Sequence, residues 1–134
     1  MIKHMHTAAI VMIFSLLLSG CQATLPVYNV KDSQIYAKKV SEDDIAREII
    51  KAGKYLGWEM TRINTNEIQG KLVLRKHEAI VKITFDKSSY NIIRTSTINL
   101  KYDEKTNTIH KNYNGWIEKL EHFIDVNLTA LEKS

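Results

Sequence analysis

The sequence predicts an α+β fold. A helix, a four-stranded antiparallel meander and a second helix follow one another, with both helices on one face of the sheet in a two-layer sandwich. Three observations predict it. Apolar residues recur at helical spacing near both ends of the region 41–134. Between them lie four segments of strand length, two of which alternate apolar and polar residues. Short polar connections join the four, which favours antiparallel neighbours.

The first helix is read in VSEDDIAREIIKAGKYLGW, residues 40–58. Ser41 is a good N-cap, and Asp44 three residues on makes a variant of the capping box. Val40 and Ile45 have the spacing of a hydrophobic staple. Glu42, Asp43 and Asp44 put negative charge at the positive end of the helix dipole. Ile45, Ile49, Ala52 and Leu56 form the apolar stripe, and Gly57 suits a left-handed cap at the end.

The strands are WEMTRIN (58–64), EIQGKLVLR (67–75), AIVKITFD (79–86) and YNIIRTSTINL (90–100). In the third, Ala79, Val81, Ile83 and Phe85 share one face, and Lys82, Thr84 and Asp86 share the other. Such alternation implies one covered face and one wetter face. Thr61, Lys71, Lys82, Arg94 and Thr95 are the positions expected on the uncovered side. After a polar, turn-rich stretch, the second helix is read in 113–133. Tyr113, Ile117, Leu120, Ile124 and Leu131 set its stripe, widened by Trp116, Phe123 and Leu128. Glu118, Lys119, Glu121 and Asp125 are read as its solvent-facing residues.

The N-terminus has a different character. MIKHMHT, with Lys3, precedes an apolar run from Ala8 to Leu18. Eleven residues are too few for a membrane-spanning helix, which needs about 20. The pattern is that of an export signal over residues 1–20. It ends in Leu18-Ser19-Gly20-Cys21, and Cys21 is the only cysteine of the chain. A thiol there is a nucleophile open to alkylation, and with no second cysteine the fold must rest on its core. Residues 21–40, with the only proline, Pro26, show no sustained period and are read as the lipidated cysteine and a tether.

Leu18 to Cys21 resembles the bacterial lipobox. The resemblance implies a diacylglyceryl group on Cys21, cleavage just before it and acylation of the new amino terminus. Membrane attachment through this lipid is the expected partnership. Gln22, not Asp, follows the cysteine. In a Gram-negative cell that implies the outer membrane, facing the periplasm; in a Gram-positive cell, the outer face of the plasma membrane.

Few function classes survive the composition. Setting Lys3 aside leaves 18 of the 19 basic residues against 15 acidic ones. That is too mild for a nucleic-acid partner. It allows weak attraction to anionic headgroups. The sequence offers no nucleophile elbow, no phosphate-binding glycine loop and no paired histidines at zinc spacing. No catalytic residues, metal ligands or cofactor are therefore assigned. The densest group of functional side chains is His110, Asn112, Tyr113, Asn114 and Trp116, the candidate binding surface. Aromatic faces and amides of this kind suit a sugar or peptide. The simpler reading gives the asparagines to caps and turns, Tyr113 and Trp116 to the core, and His110 to a loop contact.

The run IHKNYNGWIEKL, Ile109 to Leu120, is similar to an IHxNYNxWIxxL signature in a family of small bacterial lipoproteins without an assigned activity. The likeness covers Gly57 to Leu131. It implies the lipid anchor and the α+β fold and carries over no catalytic residue. Gly115 departs from it, since a larger and often basic residue is usual there. The function expected is a lipid-anchored envelope module that binds another envelope protein or the cell wall without catalysis. The alternatives are a small envelope enzyme acting on cell-wall or lipid material, and a structural spacer without ligand.

Overall fold

The computed structural model describes residues 23–132, so the segment read as an export signal and Cys21 lie outside the described residues. The elements are β1 (Thr24–Pro26), β2 (Val30–Gln34), α1 (Glu42–Tyr55), β3 (Glu59–Asn64), β4 (Glu67–Leu74), β5 (His77–Phe85), β6 (Ser89–Ile98), β7 (Thr108–His110) and α2 (Lys111–Leu131). The fold is α+β. Its main sheet has five antiparallel strands in the order β2-β6-β5-β4-β3, and β1 pairs with β7 in a separate two-stranded sheet.

The four expected strands are present as β3 to β6, in meander order. The correction comes from the segment read as a tether. Residues 24–34 supply two more strands, one of which extends the main sheet beside β6. Val30, Ile35 and Ala37 are buried in the common core. Sequence pattern misses β2 because edge pairing is made by the backbone. VKDSQ buries one side chain, Val30, and Asp32 takes a left-handed φ of 52° at an irregularity in the ladder. β1 contains Pro26, which is tolerated on a sheet edge.

One face of the main sheet is covered. Ile68, Ile83 and Ile92 pair across three strands, with Val30 opposite Ile92, and all four are buried. Ile45 and Ile49 of α1 and Ile117, Leu120 and Ile124 of α2 are fully buried in the same core. Burying a side chain of this size stabilises by about 1.5–3 kcal/mol. Thr61, Lys71 and Lys82 lie on the opposite face, in register with Gln69, Ile80 and Gln69 respectively. Arg94 does not. It keeps the alternation of the buried Tyr90 and Ile92 and pairs with the buried Val81 on the helix-covered side, and the β-bulge that follows, between Ile80 and Val81, leaves Thr95 without a partner in the register.

α1 begins as its sequence indicates. The Ser41 hydroxyl accepts from the Asp44 N–H at 3.0 Å, and the Asp44 carboxylate accepts from the Ser41 N–H at 3.0 Å. It ends in a Schellman motif. Gly57 has φ 89°, the Trp58 N–H donates to the Gly53 carbonyl and the Gly57 N–H donates to the Lys54 carbonyl. No helix of the described residues is long and apolar enough to cross a membrane.

Candidate functional site

The candidate surface from His110 to Trp116 is the corner where β7 becomes α2. His110 is the N-cap, and its Nδ1 accepts from the Asn112 N–H at 3.1 Å. Accepting there requires the neutral ring with its proton on Nε2. Asn112 projects into solvent. Asn114 is buried, and its amide does the work of a strand. It accepts from the Tyr28 N–H and donates to the Pro26 carbonyl, both at 2.9 Å. Tyr113 is fully buried. Burial pushes its phenol well above the ordinary tyrosine range, and its hydroxyl has no hydrogen-bond partner among the described residues.

Of the five, Trp116 is the aromatic left partly open. Its ring centroid lies 6.4 Å from that of His77. It borders an apolar pocket of about 170 Å³ with Leu56, Trp58, Leu72 and Leu74, and Lys119 stands at the side of that pocket. The corner is thus continuous in sequence but divided in space. His110, Asn114 and Tyr113 build the fold, Asn112 faces solvent, and Trp116 packs against the core with part of its ring open.

No family model matches the chain, and neither a curated protein nor a solved structure does.

Two residues read as solvent-facing turn inward. Glu121 accepts from the Tyr28 hydroxyl at 2.7 Å, and Asp125 accepts from the Tyr90 hydroxyl at 2.5 Å. The Glu121 hydrogen bond, with burial and its charge, pushes Tyr28 up to about 12. Burial and the Asp125 bond push Tyr90 upward too. Asp125 also borders a pocket of about 310 Å³ with Ser33, Tyr36, Thr129 and Glu132. The sequence signal for this pocket is weak, because half of its lining comes from residues 33–37, which carry no helical or strand period.

Arg94 has no carboxylate in an ion pair among the described residues. Its guanidinium lies 3.3 Å from the centroid of the Tyr102 ring, and its Nε and Nη2 donate to Thr97 Oγ1 at 3.1 and 2.8 Å. Stacking on an aromatic face offsets part of the cost of half-burying the charge. His77 Nδ1 is 2.7 Å from the Asn99 carbonyl, which ties the start of β5 to the end of β6. Among the described residues no three His, Cys, Asp or Glu side chains are grouped to hold a metal ion.

Proposed function

We infer that the protein is a lipid-anchored cell-envelope lipoprotein whose mature domain is a binding or accessory module. The observation that carries this reading is Leu18-Ser19-Gly20-Cys21, the sole cysteine directly behind an eleven-residue apolar run. Two or three acyl chains, at about 0.8 kcal/mol per buried CH₂, hold a protein stably where one chain does not. Gln22 supports residence at the outer membrane, facing the periplasm. The likeness of Ile109–Leu120 to small bacterial lipoproteins supports the same assignment.

The accessory reading is supported by how the polar groups are spent. Asn114 holds residues 26–28, His110 caps a helix, and Glu121 and Asp125 bind tyrosine hydroxyls. The face offered to an envelope protein or the cell wall is the uncovered side of the sheet. There Val73 and Ile98 are exposed on either side of Glu78, next to the pair Lys71–Glu78 and at the opposite end of the face from Lys82–Glu67. Cys21→Ser tests the anchor. The variant is expected to accumulate as an uncut, unlipidated precursor. Normal cleavage with retained membrane partition contradicts the reading.

A further inference from the structure

The anchor reading and the first described residues together fix an orientation. The Ala23 carbonyl accepts from the Lys111 N–H at 3.0 Å, at the start of α2. Gln22 alone separates Ala23 from Cys21. Two residues reach at most about 7 Å. The headgroup layer on one side of a bilayer is roughly 5–8 Å thick. A cysteine whose acyl chains lie in the hydrocarbon therefore leaves no length for a tether, and the end of the domain that carries Lys111 must meet the headgroups.

That end is built for such a neighbour. Arg75 and Lys76 form the β4–β5 turn, and the Asn99 side chain donates to the Lys76 carbonyl at 2.7 Å. The His110 N–H donates to the Leu100 carbonyl, which brings the end of β6 to the start of α2. Lys111 and Lys119 project from α2 itself. All four basic side chains are exposed, and none takes part in an ion pair among the described residues. The adjoining 101–107 turn is neutral, with Lys101 and Lys105 against Asp103 and Glu104. On α2, Glu118 stands next to Lys119, and its charge acts on Tyr28. The balance of the surface is basic. Apolar groups accompany it: Leu74 is 48% exposed, Leu25 is 39% exposed, and Trp116 is half-buried beside Lys119. A tryptophan with lysines and arginines around it is the chemistry of a bilayer interface, where the ring sits at headgroup level and the cations meet phosphates.

We propose that this end, formed by the β4–β5 turn and the first turns of α2, is a membrane-docking surface that binds the phosphates of anionic phospholipid headgroups. The proposal rests on lipidation of Cys21 and adds that the domain lies against the bilayer in one orientation.

The test uses the full lipidated chain, purified from membranes and reconstituted in phosphatidylethanolamine vesicles with or without phosphatidylglycerol. Single nitroxides are placed at Lys76→Cys, Asn112→Cys and Lys87→Cys. Lys87 lies in the turn at the other end of β5 from Lys76. The expected result is shielding of labels 76 and 112 from an aqueous relaxant, strengthened by phosphatidylglycerol, with label 87 open to water. Arg75→Glu with Lys119→Glu should leave flotation with the vesicles intact and cut the shielding at 112 about tenfold or more. Equal aqueous access at 76, 112 and 87 in protein that still floats would overturn the docking surface and leave the anchor standing. Failure to float would overturn the anchor, and the docking surface with it.

Discussion

Asn114 shows how a single side chain can stand in for a strand. Its amide closes the gap between residues 26–28 and α2 with two hydrogen bonds from a buried position. Asn114→Ala should destabilise by about 2–3 kcal/mol, because the Tyr28 N–H and Pro26 carbonyl lose their partner; urea denaturation measures this. Tyr113 predicts the opposite sign. Its buried hydroxyl has no partner, so Tyr113→Phe should be neutral or stabilise by about 1 kcal/mol in the same assay. Tyr28, Tyr90 and Tyr113 all have phenol pKa values raised in the fold, that of Tyr28 from 10.0 to about 12. The neutral phenols therefore contribute stability that is fully present below pH 10 and is lost as pH rises through the folded values. Alkaline titration followed at 295 nm should show the fully buried Tyr90 and Tyr113 ionising together with unfolding, and Tyr28 ionising above the ordinary tyrosine range. The roles of these residues were only partly legible. Tyr113 as a core residue follows from helical spacing, and asparagines as structural groups follow from their chemistry. Glu121 and Asp125 look solvent-facing because an acid at a helix flank normally is. Their tyrosine partners come from Tyr28 and Tyr90, 93 and 35 residues away along the chain.

At the scale of the element, α1 was the most legible part of the chain, since its cap, its charges and its end lie within seventeen contiguous residues from Ser41 to Gly57. Ser41→Ala should cost about 1 kcal/mol. The Asp44 carboxyl is held below its ordinary value of 3.8, first by the Ser41 backbone N–H. That contribution is present above the ordinary value and is lost as pH falls through the lowered one, so the wild-type advantage over Asp44→Ala should shrink in acid melts. α2 carries a different defect. Gly115 is helical, and a Cβ added there meets nothing within 4 Å. Gly115→Ala should stabilise by about 0.5–1 kcal/mol by thermal melting. β2 was illegible because its stabilising contacts are backbone pairings to β6, which leave no apolar alternation. The Arg75–Lys76 turn joins β4 and β5 with Arg75 at φ 56°, where asparagine or glycine is the ordinary choice. Arg75→Asn should raise stability by up to about 1 kcal/mol and, under the proposed docking, weaken the hold on anionic vesicles.

Over the whole molecule, charge and chain path agree. The five ion pairs of the described residues lie on α1, on β3 and along the sheet strands β4 and β5. Four of the cations that take part in no ion pair among the described residues, Arg75, Lys76, Lys111 and Lys119, gather where the chain enters the domain from Cys21. Neither the overall charge of +4 nor any local run of sequence reveals this, because the four residues come from a turn and a helix 35 residues apart and meet only in the fold. The fold class was legible from periodicity. The integration of residues 23–40 was not, and under the proposed docking it is this integration that changes a tethered domain into one seated on a membrane. All of it depends on the sulfur of Cys21. Intact-mass analysis of the native protein, with fragmentation of its N-terminal peptide, tests that most directly. The account predicts a chain beginning at Cys21 with a diacylglyceryl group on sulfur. A free thiol at Cys21, or a mature chain that begins elsewhere, would contradict it.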